Sequence, residues 1–275
     1  MLYLVGTPIG NMGDFSLRAQ EVLKSVDVVA CEDTRRTGLL LSHFGIEAKL
    51  ISYHEHNKAS SGEKLLSMLK EGLEVALVSD AGMPSISDPG EDLVKLCIEE
   101  NIPVTTIPGP VAGITALVLS GMDTRHYYFE GFLPVETKPR KERLEVVSKM
   151  QVTTILYEAP HRLLRTLEDL KSTGNASRRI AACRELTKKY EEVISGTVEE
   201  LIAHFNEVPP KGEFVLVLEG AKEKPKQEVS SEDREKRIRE LAKEGLPTKE
   251  IAKILSTEWG ESKKALYAEV LEMIK

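Results

Sequence analysis

Over its first 120 residues the chain alternates short apolar runs with amphipathic stretches of helical period, and this alternation constrains its fold more than any other feature. Runs at 2–5, 26–31, 49–53, 75–79 and 104–107 predict strands, and 16–24, 34–44 and 60–71 predict helices. Ser60 and Glu63 have the spacing of a capping box for the third helix, with Gly72 as its stop. Asp88-Pro89-Gly90-Glu91 predicts another helix start, with Asp88 as cap, Pro89 at the first helical position and Glu91 completing the box. Strands alternating with helices are joined by right-handed crossovers, which gives a largely parallel sheet covered on both faces. The unbroken apolar runs at 28–30 and 75–78 suit strands buried on both sides.

A chain of 275 residues exceeds the usual span of one compact domain. Residues 1–121 are expected to form an α/β domain carrying glycine-rich loops, and 122–222 a second α/β domain. In the second, strands are expected at 127–131, 153–157, 180–183, 191–195 and 214–219, and helices at 140–150, 160–170 and 197–204. The last helix carries a Thr197/Glu200 capping box, and 189–196 reads as an antiparallel excursion, so this sheet is expected to be mixed. A polar, proline-containing linker follows at 221–227. The extension 229–275 turns helical, at 231–243, 248–259 and 262–274. Three short helices with tight turns are the plan of a helix-turn-helix module and equally of a helical cap on the body.

Hydrophobic residues make up 41% and charged residues 29%, which excludes a collagen, a membrane bundle and a chain disordered throughout. No apolar run approaches the roughly 20 residues of a membrane span, and the first six residues have no basic flank or cleavage site of a signal peptide. Cys31, Cys97 and Cys183 stand singly, which argues against a disulfide framework and a zinc site and predicts small buried hydrophobes. They fit a reducing cytosol, so a cytoplasmic protein without membrane attachment is expected. The net charge of −7 at face value counts against a nucleic-acid partner. Residues 221–275, however, carry 13 Lys and Arg against 12 Asp and Glu, so the remaining 24 basic and 32 acidic residues, a net −8, lie in the first 220. Any RNA contact is therefore expected at local basic clusters, with poor binding of bulk nucleic acid.

Three loops at strand ends are rich in glycine and proline: G-T-P-I-G-N-M-G-D at 6–14, S-D-A-G-M-P-S-I-S-D-P-G at 79–90 and P-G-P-V-A-G at 108–113. They lie at the carboxyl edge of the strands, where α/β sheets bind ligands. Neither G-x-G-x-x-G nor G-K-[ST] is present, so no phosphate-cradling fingerprint exists. Asp80, directly after a buried strand, is an acceptor suited to a ribose, an amine or a sulfonium. Together the loops predict a small polar ligand other than a nucleotide polyphosphate.

Taken with A-C-E-D-T-R at 30–35, S-Y-H-E-H-N at 52–57, Y-E-A-P-H-R at 157–162 and R-E-L-T-K at 184–188, the ordered set resembles the tetrapyrrole-methylase superfamily. Within it, the set is similar to the branch acting on small-subunit ribosomal RNA, over residues 1 to about 220, and the three C-terminal helices are similar to that branch's helix-turn-helix extension. The resemblance implies a class III methyltransferase fold, with two α/β domains and S-adenosyl-L-methionine in the cleft between them. It also implies 2′-O-methylation of a cytidine in the decoding region of 16S rRNA (cytidine 1402 in conventional numbering), a small-ribosomal-subunit partner, a homodimer and no metal. Cofactor binding is carried by the resemblance to Pro8, Ile9, Asp80, Gly82, Met83, Val111, Ala112, Tyr157, Glu158 and Leu186.

Methyl transfer to an alcohol is an in-line displacement at a sulfonium methyl, so the protein must align the reactants, remove the hydroxyl proton and exclude water. A ribose hydroxyl is a poor nucleophile at neutral pH and calls for a base or a nearby cation. Candidates are Lys188, Glu185, His54 and His56, with Glu32, Asp33 and Glu55 beside them. Histidines flanking Glu55 just after a strand are also the pattern of an ordinary surface loop, and a lysine acts on a hydroxyl only when partly desolvated. Arg35, Arg36, Arg162 and Arg184 are the leading phosphate contacts, with Arg165, Arg178, Arg179 and Lys189 next to them; such clusters are equally solvated faces. Two rival functions stay open: methyl transfer to a tetrapyrrole or other small molecule, and a non-catalytic nucleic-acid-binding module built on the C-terminal helices.

Overall fold

The computed structural model describes residues 1–222, 230–259 and 261–274; of the linker expected at 221–227, residues 223–227 lie outside the described residues. The chain divides into two compact units, Met1–Ala221 and Lys222–Lys275. Two five-stranded sheets make up the first. One of them contains β1 (Leu2–Val5), β2 (Val28–Cys31), β3 (Leu50–Ser52), β4 (Val75–Val78) and β5 (Val104–Ile107). Their order is β3-β2-β4-β1-β5, and every pairing is parallel.

Period-two alternation sorts the strand side chains between two cores. Val5, Val29 and Ala76 meet α1 (Leu17–Ser25) and α2 (Thr34–His43) through Ala19, Leu23 and Leu41. On the other face Leu2, Ala30 and Leu77 meet α3 (Lys58–Lys70) and α4 (Glu91–Glu99) through Leu65, Leu69 and Leu93. Adjacent β1 and β4 thus send their following helices to opposite faces, and the loops after them part to leave a crevice at the carboxyl edge.

Two expected helix starts are corrected. The third helix begins at Lys58, with Asn57 at the N-cap position and Ser60 inside the first turn, donating to the Asn57 carbonyl at 3.2 Å. Asn57 makes no cap because its Oδ1 accepts from the His54 amide at 2.8 Å. Nor does Asp88 cap α4: Gly90, at φ +148°, takes that position without a side-chain cap, Pro89 stays outside the helix, and Glu91 is its first residue.

The second sheet contains β6 (Tyr127–Phe132), β7 (Thr153–Glu158), β8 (Arg179–Arg184), β9 (Glu192–Thr197) and β10 (Phe214–Leu218), in the order β6-β7-β10-β8-β9. It is mixed: β6 and β7 run parallel, and the other pairings, including the β8–β9 excursion, are antiparallel. One face is covered by α6 (Thr137–Lys149), α7 (Pro160–Leu170) and α8 (Val198–Glu207), the last opened by the expected Thr197/Glu200 capping box. The other face is covered by α5 (Ala112–Leu119), whose Ala116 and Leu117 pack on Ile155, Ala181 and Val217. Although α5 precedes residue 121, it therefore packs on the second sheet and ties the two halves together. All three cysteines are buried and free.

The second unit has its own core. In it α9 (Ser231–Lys243), α10 (Thr248–Trp259) and α11 (Lys263–Ile274) bury Ile238, Leu241, Ile251, Leu255, Leu266 and Val270 together. Arg234 pairs with Glu261 and Glu269 and lies 4.4 Å from the Trp259 ring centroid. Among the described residues no helix is long and apolar enough to cross a membrane.

Candidate active site

The three glycine-rich loops are bound first to one another. Gly6 donates to the Ile107 carbonyl at 3.0 Å, and Thr7 and Gly82 exchange backbone hydrogen bonds of 2.9 and 3.1 Å. A Cβ on Gly6 would stand 2.7 Å from the Gly109 Cα, so these two loops touch only because both residues are glycine. A Cβ on Gly10 would fall 3.0 Å from the Leu186 carbonyl oxygen, which brings the first loop against the 184–188 segment of the second half.

Between these loops and the second sheet lies a cavity of about 350 Å³. Nine of the ten residues expected to contact a cofactor line it: Ile9, Asp80, Gly82, Met83, Val111 and Ala112 from the first half, and Tyr157, Glu158 and Leu186 from the second. Pro8 does not; it is buried within its loop. Local backbone strain shapes two walls. Ser85 and Ser87 have φ of +70° and +62°, Glu185 and Thr187 of +50° and +64°, and in each triplet the middle residue, Ile86 or Leu186, faces the cavity.

Among the described residues, four carboxylates, Asp80, Asp88, Glu158 and Glu213, line the cavity, and no lysine or arginine does. Asp80 accepts from the Asp33 amide at 3.1 Å and from Arg36 at 3.2 Å. Glu158 is buried and accepts from the Ala159 amide, the Thr166 hydroxyl and Arg162. Burial, with Glu32 and Asp80 close by, pushes the Asp88 carboxyl up to about 6. The Tyr157 hydroxyl accepts from the Gly113 amide at 3.1 Å, and burial raises its pKa. Sequence reasoning assigns no site role to Asp88, Phe132, Cys183 or Glu213, all of which line the cavity. Asp88 alone carries a local signal, and it is that of a helix cap.

The expected bases lie outside the lining. Lys188 donates to Glu185 at 3.0 Å and Glu213 at 2.9 Å; burial works against its charge, but the two carboxylates prevail and raise its pKa. Glu185 also accepts from the Glu213 amide at 3.0 Å, and these partners outweigh burial and lower its pKa. His54 and His56 stand with ring centroids 6.0 Å apart. Burial and Asp80 raise the Glu32 carboxyl, whereas Arg35 holds the neighbouring Asp33 at about 2. Glu55 is exposed and paired with Lys58.

The arginines divide by what they already bind. Arg178 is buried against the carbonyls of Val147, Ser148, Met150 and Glu219, and Arg162 turns inward to Glu158 and the Leu133 carbonyl, so neither guanidinium is available to a phosphate. Arg184 bonds the Lys211 carbonyl at 2.7 Å and pairs with Glu192. Arg165, Arg179 and Lys189 are exposed, as are Arg35 and Arg36, and Arg36 joins the cavity through Asp80.

The arrangement of two α/β halves meeting across glycine-rich loops is a fold shared with methylases of known structure. Residues 1–202 match the tetrapyrrole (corrin/porphyrin) methylase family. Among solved structures, the chain is similar to a cobalamin-biosynthetic cobalt precorrin-4 methyltransferase (TM-score 0.60, 16% identity, 79% of this chain and 94% of that one). It is also similar to a uroporphyrin-III C-methyltransferase from Thermus thermophilus complexed with S-adenyl homocysteine (TM-score 0.56, 18% identity, 79% and 96%). Two proteins carrying the name ribosomal RNA small subunit methyltransferase I are closer in sequence. That from Synechocystis sp. is 46% identical over 99% of this chain and 98% of its own length, and that from Halalkalibacterium halodurans is 47% identical over 97% and 93%. The chain belongs to the tetrapyrrole methylase family and, within it, to the ribosomal RNA small subunit methyltransferase I group.

Proposed function

We propose that this protein transfers a methyl group from S-adenosyl-L-methionine to 16S rRNA of the small ribosomal subunit, at the 2′-hydroxyl of cytidine 1402 in conventional numbering. One observation carries the cofactor part of the reading: the cavity between the two halves has aliphatic and aromatic walls and four carboxylates, with no basic side chain among the described residues. Such a lining suits a compact cationic ligand and repels a polyphosphate. The names of the relatives support the RNA substrate, and the S-adenyl homocysteine held by the Thermus thermophilus enzyme supports the cofactor.

When bound, the cofactor supplies an electrophilic sulfonium methyl. Asp80 would accept from its hydroxyls or amine, the backbone of Gly82, Val111 and Ala112 would meet its polar groups, and Ile9, Met83 and Leu186 would cover its apolar surface and keep water out. Tyr157 and Glu158 would close the cavity from the second half, while Pro8 and the Lys188–Glu185–Glu213 cluster hold the loops in register. Arg35 and Arg36, on the solvent side of Asp80, are the phosphate contacts this reading favours. His54 and His56, which follow the strand beside Glu32, would lie on the RNA side. Exposed Ile114, Val118 and Leu119 on α5 support a homodimer, and three buried free thiols support a cytoplasmic location.

The test is incubation with labelled S-adenosylmethionine and small subunits from a strain lacking its own enzyme, followed by mapping of 2′-O-methylation. A single modified cytidine is expected. Absence of label in the rRNA refutes the reading, and label in a tetrapyrrole instead would establish the small-molecule alternative.

A further inference from the structure

The geometry points to Asp88 as the proton acceptor for the attacking hydroxyl, a role that rests on the methyl-transfer reading above. Of the four carboxylates in the cavity, three are engaged elsewhere. Asp80 accepts from an amide and Arg36, Glu158 from an amide, Thr166 and Arg162, and Glu213 is exposed and held by Lys188 at 2.9 Å. Among the described residues, no backbone amide donates to Asp88 and no cation pairs with it.

Its loop is held on both sides. Ser87, before it, stands against β6, where a Cβ on Gly131 would lie 2.9 Å from the Ser87 Oγ. Gly90, after it, has a conformation and surroundings that exclude a side chain, since a Cβ there would meet the Leu77 side chain at 2.9 Å and the Ser85 Oγ more closely still. Among the described residues the groups facing Asp88 are Glu32 from the turn after β2, Asp80 from the end of β4, and Tyr157 from β7, and the Ser79 hydroxyl favours its charge. With a carboxyl raised to about 6, Asp88 is ionised at neutral pH yet holds a proton more firmly than an exposed carboxylate. That combination suits general-base work on a weakly acidic hydroxyl.

In the step, the 2′-oxygen forms a bond to the methyl carbon and the carbon–sulfur bond breaks, its electron pair passing to sulfur. The hydroxyl proton passes to an Asp88 oxygen. Positive charge on sulfur and negative charge on Asp88 disappear together, and the neutral acid returns its proton to water as products leave.

The test measures labelling of small subunits between about pH 5 and pH 8 by wild type, Asp88→Asn and Asp88→Glu, alongside cofactor calorimetry and thermal unfolding. Wild-type rate should rise with pH and level above about 6. Asp88→Asn should lose that limb and about 100-fold or more in rate while keeping cofactor affinity. It should also melt no lower than wild type at neutral pH. The fold disfavours ionised Asp88, so wild type loses stability as pH rises through the raised value, and the amide escapes this loss. Asp88→Glu should retain part of the rate. An Asp88→Asn rate within about threefold of wild type overturns the assignment. So does a loss of cofactor binding equal to the loss of rate, or a lowered melting temperature. Failure of the wild type to label rRNA refutes the RNA reading and this role with it, whereas a labelling wild type with an unaffected Asp88→Asn refutes only the role of Asp88.

Discussion

Gly6 and Gly109 meet through backbone alone, and their contact aligns two of the three loops that wall the cavity. A Cβ at position 109 would stand 2.8 Å from the Gly6 Cα and 2.9 Å from its carbonyl carbon, atoms that cannot rotate away. Gly109→Ala is therefore expected to cost about 1–3 kcal/mol, read as a lower melting temperature, and to weaken cofactor binding by moving the loops apart. Asp80 acts differently. Its alanine variant should lose about 10- to 100-fold in cofactor affinity by calorimetry, since a charged acceptor is removed from a ligand that needs it. The melting temperature should fall only slightly, because Arg36 is solvent-facing and the loss is confined to one part-buried hydrogen bond from the Asp33 amide. The lining around Asp80 was legible because the family resemblance rests on the contiguous motifs that contain it, at 6–14, 79–90 and 108–113, with 157–162 and 184–188 from the second half. Asp88 was not: D-P-G-E satisfies every local rule for a cap, and only the loop's contacts with β4 and β6 reveal that Gly90 takes the cap position. Arg162 and Arg178 read as surface charge for the same reason, because the carbonyls they satisfy are at least 28 residues away in sequence.

Elements were easier to read than residues, since period two and period 3.6 are local properties of the chain. The ten strands among the described residues fall where the sequence predicted them, with ends shifted by a residue or two. The first turn of α3 failed because Asn57 spends its side chain on the His54 amide, a loop interaction invisible to a capping rule. Where the box is real, it is reciprocal: the Glu200 amide donates to Thr197 Oγ1 at 3.2 Å and the Thr197 amide to Glu200 Oε2 at 2.7 Å. Thr197→Ala should therefore destabilise α8 and the unit it supports by about 1 kcal/mol. Because α8 packs on the face away from the cavity, cofactor affinity should stay unchanged in calorimetry while the melting temperature falls. The β8–β9 pairing was legible as an excursion, whereas the packing of α5 on the second sheet was not, since no local signal says which sheet a connecting helix covers.

At the scale of the whole molecule, the acidity of the chain and its proposed RNA substrate are reconciled by where charges are already paired. In the second unit Arg234, Arg237 and Arg239 are all bound to glutamates, whereas Lys249 and Lys253 of α10 and Lys263 and Lys264 of α11 make no ion pair among the described residues. We propose that those lysines offer phosphate contacts from a nearly neutral unit, while the first 220 residues, at net −8, are expected to bind bulk nucleic acid poorly. Each unit has its own core, so removing residues 223–275 should leave the α/β body folded, with cofactor affinity within about threefold of the full chain. Capture of small subunits should weaken by about tenfold or more, and the salt dependence of binding should become shallower by about 0.7 for each phosphate that the extension would have neutralised. Titrating both proteins with small subunits at several ionic strengths, beside cofactor calorimetry, separates the outcomes. Loss of RNA capture with a shallower salt slope assigns the lysines to phosphate; equal loss of cofactor and RNA binding would mean instead that the extension serves to stabilise the body.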